Sequence, residues 1–233
     1  AASVLLGLFA ACSAPAQRPD DVLGRFKSPS PCITGLAWDG KHIWAADRRL
    51  RAIFCLQPSN GKTLRRFPAP DLWPVGLAWD GEALWCADRS SRMLYRMDTR
   101  SGRVLNKLRV RAKTPFGLAW DGKSLWLADE GTRSILKINP ANGALLEKFR
   151  APAYKVQGLA FDGTYLWASD RLADEIYALT PHGDVLFVAK APGPYATGLA
   201  FDGRHLLCAD YQVDCVFTLR STSDTSAHRS EPH

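Results

Sequence analysis

Aspartate residues recur at near-constant spacing and are the first candidates for chemistry in this sequence. Asp47, Asp88, Asp129, Asp170 and Asp210 follow one another at intervals of 41, 41, 41 and 40 residues. Five carboxylates around one axis could bind a cation such as Ca²⁺. A short acceptor at the end of a strand also satisfies backbone N–H groups of the next turn. Because a single ligand would break the symmetry of such a set, we interpret these residues as structural and expect no metal site.

Aromatic and charged residues that differ between the repeats form the second candidate set. They lie shortly before each repeated Gly or directly after each recurring Asp. The candidate ligand-binding residues are Arg48, Arg49, Trp73, Arg89, Phe116, Glu130, Tyr154, Lys155, Arg171, Tyr195 and Tyr211. Aromatic side chains and Arg are frequent anchors of recognition surfaces. The alternative, that these loop residues pack over a channel mouth without binding a ligand, stays open.

A repeated hexapeptide defines the elements that must position these residues. The segment Gly35–Gly40 reads GLAWDG; the same letters recur from Gly76 and Gly117, and GLAFDG recurs from Gly158 and Gly198. A period near 40 residues is typical of four-stranded propeller blades. Each unit divides into four strand-like pieces separated by turn signals such as Asp-Gly and Asn-Gly. No unit has a breaker-free run of about ten residues, which argues against helices.

The two ends of the repeat region complement each other. The fifth unit stops at Leu219, after its third strand, whereas Val22–Pro29 matches the fourth-strand segment Leu145–Pro152 position by position. We therefore predict an all-β fold, a five-bladed β-propeller of four-stranded antiparallel blades. It is closed by the N-terminal strand (21–27), which joins the last blade beside strand 213–219 and leaves no open seam.

The chain divides into three parts on this interpretation. Residues 1–16 are a remnant signal segment, residues 21–220 are the propeller, and residues 221–233 are a polar tail or linker. The tail contains no aromatic residue, which is typical of a disordered end. Together with the missing start, the tail leads us to expect that the chain is a fragment of a longer protein.

The N-terminal segment predicts export. Residues 1–11 read AASVLLGLFAA and are followed by Cys12. Small residues before a Cys are typical of the bacterial lipobox, so Cys12 is a candidate lipidation site, although Phe9 replaces the usual Leu. Cleavage after Ala16 and a short buried strand are the two alternatives. The expected location is the bacterial cell envelope, as a periplasmic or outer-membrane lipoprotein; otherwise the protein is secreted.

Composition and charge limit the classes of binding partner that we expect. With 46% hydrophobic and 23% charged residues the chain is not disordered as a whole, and no apolar run reaches the length of a transmembrane helix. Membrane contact is therefore expected only through a lipid anchor. The net charge is +7, but many cations fall on fourth strands, where they protect outer edges: Arg25, Lys27, Arg65, Arg66, Lys107, Arg109, Lys148, Arg150 and Lys190. No motif for nucleic-acid binding accompanies them, and we expect none.

Two aligned sets of aromatic residues recur in the repeats. The first set is Trp38, Trp79, Trp120, Phe161 and Phe201, and the second is Trp44, Trp85, Trp126 and Trp167, broken by Leu207. Such rings could stack sugars or a cofactor. Their regular recurrence favours packing between neighbouring blades instead. We expect the face that carries the tight Gly turns to have few side chains to offer a ligand.

The repeat carries a resemblance to known propellers. The pattern PxGLAWDGxxLWxAD, followed by IxxIxPxxG and VLxxF, resembles the repeats of NHL-type and YVTN-type extracytoplasmic propellers. It is especially similar to the GLAWDG repeats of bacterial glutamine-cyclotransferase-like proteins. The resemblance covers residues 21–220. It implies the architecture and little about activity, because propellers have many functions.

The residues directly before each repeated Gly lie at the predicted channel mouth, where we look for the catalytic residues of propeller enzymes. They are Thr34, Val75, Phe116, Gln157 and Thr197. A lactonase-type propeller would need several acidic or amide ligands there, and a streptogramin-lyase type would need His and Glu near the axis. We find no asymmetric acid–base pair in the sequence. The expectation is a binding or scaffold module without catalytic residues or cofactors, whose loop-rich face binds a protein, peptide or glycan. The alternatives are a glutaminyl-cyclase-like enzyme and the targeting domain of a larger, for example transglutaminase-like, enzyme.

Overall fold

The computed structural model describes residues 22–220. The predictions for the signal segment, for Cys12 and for the polar tail lie outside the described residues. Within residues 22–220 every regular element is a β-strand, so no helix there could span a membrane. The strands are β1 Val22–Lys27, β2 Ile33–Trp38, β3 Ile43–Asp47, β4 Ala52–Leu56, β5 Thr63–Pro68, β6 Pro74–Trp79, β7 Leu84–Asp88, β8 Met93–Met97, β9 Val104–Arg109, β10 Pro115–Trp120, β11 Leu125–Asp129, β12 Ser134–Ile138, β13 Leu145–Arg150, β14 Val156–Phe161, β15 Leu166–Asp170, β16 Glu175–Leu179, β17 Val185–Lys190, β18 Ala196–Phe201, β19 His205–Asp210 and β20 Cys215–Arg220.

The strands form five separate four-stranded antiparallel sheets, which confirms the predicted fold. Four blades contain consecutive strands, from β2–β5 to β14–β17. The last blade has the order β1-β20-β19-β18, so the N-terminal strand completes it. Val22 pairs with Leu219 and Lys27 pairs with Cys215. The closure therefore joins the two ends of the described chain, as the split fifth repeat predicts.

The alternating strand directions give the propeller two different faces. The fourth-to-first and second-to-third connections meet on one side, which we call the loop-rich face. The Asp-Gly turns and the third-to-fourth turns meet on the other side, which we call the tight-turn face. The first strand of each blade lies at the axis and runs from the loop-rich face to the tight-turn face.

The repeated Gly of each first strand is required by the close approach of neighbouring blades. A Cβ on Gly76 would lie 2.3 Å from the carbonyl oxygen of Phe116 and 2.5 Å from the amide nitrogen of Leu118. The same clash with backbone of the next blade occurs at Gly35, Gly117, Gly158 and Gly198, the last of which meets Gly35. The five innermost strands thus pack backbone against backbone in a closed ring, which a side chain would force apart.

Tryptophan residues of the second set hold neighbouring blades together. Trp44, Trp85, Trp126 and Trp167 are at most 2% exposed. Trp44 of the first blade packs with Leu77 and Leu84 of the second. Its indole Nε1–H donates to Asp39 of the Asp-Gly turn at 2.8 Å, and the equivalent bond recurs in the next three blades. These contacts agree with the packing role expected from the sequence, and the indole bond explains why Trp and Asp recur together.

The residues of the first aromatic set also line the axial opening, which the sequence analysis did not predict. Trp38 packs against a cluster that includes Ala200 and Leu207 of the last blade, as expected for a residue between blades. However, all five rings of this set are half-buried and also surround the axial opening at the tight-turn face. That face therefore presents more side chains than its tight turns suggest.

The Gly ring leads to a direct test of stability. We expect Gly76→Ala to lower the free energy of unfolding by about 3 kcal/mol, because the added methyl group must push two blades apart. Gly24→Ala is the matched control, since a Cβ there has no atom within 4 Å. Urea unfolding of both variants measures the difference. Equal stability of the two variants would show that the innermost strands tolerate separation and would contradict this account.

Candidate functional site

The recurring Asp residues at the ends of the second strands form the framework of the loop-rich face. Asp88 is fully buried; one carboxylate oxygen accepts the N–H of Trp73 at 2.6 Å, and the other accepts the N–H groups of Ser90 and Ser91, each at 2.9 Å. The carboxylate thus ties the loop before one strand to the turn after the next. The other four Asp residues accept equivalent hydrogen bonds: Asp47 from Ser30 and Leu50, Asp129 from Lys113, Thr114 and Gly131, Asp170 from Lys155, Leu172 and Ala173, and Asp210 from Tyr195, Gln212 and Val213.

These hydrogen bonds account for the five carboxylates as parts of the backbone framework. Each carboxylate is at most 2% exposed and already accepts several N–H or O–H groups. Within residues 22–220 no group of three or more His, Cys, Asp or Glu residues is arranged to hold a metal ion. The observed contacts support the structural interpretation of the recurring Asp.

A recurring backbone hydrogen bond fixes the position of the variable residues along the propeller axis. The residue after each recurring Asp donates its N–H to the carbonyl three positions before the repeated Gly. In the second blade, Arg89 donates to Trp73 at 2.9 Å, and in the last blade Tyr211 donates to Tyr195 at 3.1 Å. The same bond occurs in the other blades. Side chains that differ between blades are therefore held at one level around the channel mouth.

Cations and aromatic rings alternate along one half of this mouth. The guanidinium carbon of Arg89 lies 4.6 Å from the ring centre of Trp73 and 4.9 Å from that of Phe116. Arg48 lies 5.7 Å from the ring of Trp73 and 5.5 Å from that of Tyr211. These distances are those of cation–π contacts. Two Arg side chains therefore connect three aromatic residues from different blades.

The series continues into the fourth and fifth blades. Tyr211 and Tyr195 have ring centres 5.7 Å apart. The guanidinium of Arg171 lies 5.3 Å from the ring of Tyr195, and its Nη1 donates to the Tyr195 hydroxyl at 2.9 Å. We call the seven residues that form this series the mouth arc: Phe116, Arg89, Trp73, Arg48, Tyr211, Tyr195 and Arg171.

The remaining part of the mouth holds an acid–base pair. The ammonium group of Lys155 bonds to a carboxylate oxygen of Glu130, and Nε2 of Gln157 donates to the other oxygen at 3.4 Å. The Glu130 side chain is 10% exposed and that of Lys155 is 33% exposed. The sequence analysis found no asymmetric acid–base pair, but the fold brings one together from two neighbouring blades. The sequence analysis missed the pair because Glu130 and Lys155 occupy different repeat positions.

Two of the candidate residues lie outside this arrangement. Arg49 is exposed and makes no hydrogen bond, ion pair or ring contact with any described residue. Tyr154 is 60% exposed, and its ring lies 4.3 Å from the guanidinium of Arg133 in a shallow pocket with Arg150. Arg133 was not among the candidates; its position is also Arg in the first two blades, as Arg51 and Arg92, and has positive φ in all five. The other nine candidates meet at the mouth.

The mouth arc has positive charge without matching carboxylates. Among residues 22–220, Arg48, Arg89 and Arg171 form no ion pair with Asp or Glu. Two buried donors in the arc, Nε1 of Trp73 and Nε of Arg171, have no acceptor among the residues that the structure describes. Buried donors are usually satisfied, and leaving one unpaired costs about 1–3 kcal/mol.

Asp71, an acid in the loop before β6, forms a hydrogen bond with a tyrosine hydroxyl. The hydroxyl of Tyr95 donates to Asp71 at 2.6 Å, and this hydrogen bond, opposed by partial burial, holds the pKa of Asp71 below its usual range. Burial, followed by the same bond to Asp71, raises the pKa of Tyr95. Asp71 is thus an ionised acceptor for a neutral hydroxyl and does not neutralise the Arg side chains of the mouth arc.

Comparisons with known proteins support the architecture. No family model matches the sequence, and the search of curated proteins found no match. Among solved structures, Myxococcus xanthus glutaminyl cyclase is similar with a TM-score of 0.76 at 17% identity, over 86% of this chain and 95% of that one. Staphylococcus aureus virginiamycin B lyase gives 0.52 at 19% identity, over 83% and 67%. A streptogramin B lyase gives 0.54 at 14% identity, over 85% and 97%.

At these identities the likeness shows the fold alone. The chain is therefore a five-bladed propeller with structural neighbours that are enzymes. The neighbours fit the glutamine-cyclotransferase-like resemblance at the level of architecture. They do not distinguish NHL-type from YVTN-type repeats.

A double-mutant cycle tests the arc geometry. We expect the pair Trp73→Leu and Arg89→Met to show a coupling free energy of about 1 kcal/mol in urea unfolding, because each substitution removes the same cation–π contact. Trp73→Leu combined with Arg103→Met, on the tight-turn face, is the control and is expected to be additive. A coupling in the Arg89 pair no larger than in the control pair would exclude the contact.

Proposed function

We propose that the mouth arc binds an anionic group of a peptide, protein or glycan and that the chain is a non-catalytic binding or scaffold module. The observation that carries this proposal is the set of three Arg side chains, Arg48, Arg89 and Arg171, which contact aromatic rings but no carboxylate among the described residues. An anionic ligand would supply the missing partner.

The stacked geometry suits recognition of a carboxylate, sulfate or phosphate. A guanidinium that lies over an aromatic ring keeps its planar N–H edge available, and that edge can form two parallel hydrogen bonds to an oxyanion. The aromatic contacts also restrict the Arg rotamers before the ligand arrives, which lowers the entropic cost of binding. The two unpaired donors, Trp73 Nε1 and Arg171 Nε, would gain acceptors from the same ligand.

The asymmetry of the mouth supports selectivity for one ligand. The Asp and Gly residues of the framework recur in every blade and account for the fold. One repeat position holds Arg in three blades (Arg48, Arg89 and Arg171), but Glu130 and Tyr211 replace it in the other two. Only such differences allow a five-fold scaffold to distinguish one orientation of a ligand from another.

A glutaminyl-cyclase-like activity is the second candidate. The Glu130–Lys155 pair with Gln157 favours it, because enzymes commonly use a partly buried carboxylate as a general acid or base. In this arrangement, however, Lys155 and Gln157 occupy both carboxylate oxygens of Glu130, as in a structural ion pair. Recognition therefore remains the first proposal.

The proposed location is the bacterial cell envelope. It rests on the apolar residues 1–11 and on Cys12 as a lipidation site. Anionic peptides and glycans are ligands that such a module would meet there.

Binding of defined anionic probes tests the proposal. An Asp/Glu-rich decapeptide and polygalacturonate are compared with their neutral counterparts, a Ser/Gly decapeptide and dextran, by calorimetry. We expect the native chain to bind at least one anionic probe, and Arg48→Gln/Arg89→Gln to weaken that binding at least about tenfold, the loss expected for two charge-assisted contacts. Arg25→Gln/Arg109→Gln, on fourth strands, removes the same charge and should change it less than about twofold.

Other outcomes would contradict the proposal. Equal losses in the two double variants would show that net charge, not the mouth arc, attracts the probe. Turnover of glutaminyl peptides by the native chain, abolished by Glu130→Gln, would replace the binding module with an enzyme.

A further inference from the structure

The outer strand of the fourth blade lacks a cation that the other four outer strands carry. The fourth position of the outer strand is Arg25 in β1, Arg66 in β5, Lys107 in β9 and Lys148 in β13. In β17 the same position is Val188, which is 43% exposed. Lys and Arg on an edge strand hinder its pairing with another chain, and β17 is without this protection.

The outer side of β17 is open and apolar. Among the described strands it pairs only with β16, so the backbone N–H and C=O groups along its other side have no strand partner. Phe187 packs inward on the buried Trp167, with ring centres 5.5 Å apart. Val185, Leu186 and Val188 stay 43–50% exposed. An added strand would meet unpaired backbone groups and apolar side chains together.

The β-bulge at the start of β17 does not distinguish it from the other outer strands. The register with β16 shifts between Val185 and Phe187, and an equivalent shift occurs in all five blades. Bulges are one of the features that discourage edge pairing. Because all five outer strands share the bulge, the missing cation is what sets β17 apart, and the regular stretch from Phe187 to Lys190 remains open to pairing.

The two ends of β17 carry opposite charges. Asp184 directly precedes the strand and Lys190 is its last residue, and both side chains are exposed. Neither forms an ion pair among residues 22–220. In an antiparallel pair of identical strands, the start of each strand lies beside the end of the other. Such a pair would bring Asp184 of each copy beside Lys190 of the other, so the strand is complementary to itself.

Other outer strands have the opposite property. Lys62 precedes β5, which contains Arg66. Arg103 precedes β9, which contains Lys107 and ends at Arg109. Pairing either strand with its own copy would place cations beside cations, which is destabilising. The arrangement of charges therefore favours a second copy of the chain as the partner of β17 and disfavours it at β5 and β9.

We infer that β17 pairs with β17 of a second copy of the chain, antiparallel and around a two-fold axis. Two four-stranded blades would then join into one eight-stranded sheet, with apolar contacts in the middle and an Asp184–Lys190 contact at each end. β17 runs from the tight-turn face to the loop-rich face. The loop-rich faces of the two copies would therefore point in opposite directions, and both mouth arcs would stay open. The inference does not depend on what the mouth arc binds.

Sedimentation velocity tests the inference on the full chain. All proteins carry Cys12→Ser and are kept in a reducing agent, so neither lipidation nor disulfides contribute. We expect the native chain to change from monomer to dimer between about 1 and 100 µM. Val188→Lys should weaken dimerisation at least about tenfold, because it gives β17 the cation of the other outer strands and the two-fold axis introduces it twice.

A control variant matches the added charge. Val213→Lys changes a residue that is 42% exposed on the loop-rich face, and it should leave the dimerisation constant within about twofold of the native value. Val188→Lys is expected to fold, since the same position holds Lys or Arg in four blades. Circular dichroism verifies the fold of each variant.

Charge reversal at the strand ends gives a second measurement, which decides the question if Val188→Lys does not fold. Asp184→Lys makes both ends positive, and Lys190→Glu makes both ends negative. Each variant alone should dimerise at least about fivefold more weakly than the native chain, because like charges meet at both ends. An equal mixture of the two should associate within about threefold of the native strength, because each end again meets the opposite charge.

Three results would overturn the inference. One is a native chain that stays monomeric at the highest concentration. Another is dimerisation that Val188→Lys and Val213→Lys weaken equally, or that neither weakens. The third is a mixture of Asp184→Lys and Lys190→Glu that associates no better than either variant alone.

Discussion

The contact on which the whole structure depends is the backbone-to-backbone packing of the five innermost strands. Each repeated Gly presses on the backbone of the next blade, and Gly198 presses on Gly35 to close the circle. A side chain at any of these positions would widen the ring, and the Trp residues between blades, such as Trp44, would no longer fill their gaps. The split last blade, in which β1 joins β20, then holds the circle closed through a full set of strand pairs.

This constraint divides the residues into those that build the fold and those that are free to vary. The Gly and Asp of each repeat contact their own or the next blade and are the same in all blades, and the buried Trp recurs in every blade except the last, where Leu207 takes its place. The side chains that follow each recurring Asp project at the loop-rich face and are under no such constraint. Arg48, Arg89 and Arg171 use that freedom to stack on rings of neighbouring blades. The positive charge at the channel mouth thus comes from residues that vary between blades, while the recurring framework residues keep the backbone the same.

The fold was predictable from the sequence because its determinants repeat. The GLAWDG spacing and the match of Val22–Pro29 to a fourth strand predicted the blade count and the closure, both of which the sheet topology confirms. For the site, the sequence predicted most of the residues that belong to it but not the contacts between them. The Glu130–Lys155 pair and the stacking of Arg89 between Trp73 and Phe116 join different repeat positions of different blades, and an alignment of repeats cannot reveal such contacts.

The central claim is that an anion binds where residues differ between blades. A crystal structure of the chain with the Asp/Glu-rich decapeptide tests it most directly. We expect a peptide carboxylate within hydrogen-bonding distance of Trp73 Nε1 or of the guanidinium groups of Arg48 and Arg89, with the framework Asp residues still bonded to their loops. A peptide bound on the fourth-strand cations, with the mouth arc unoccupied, would contradict the account.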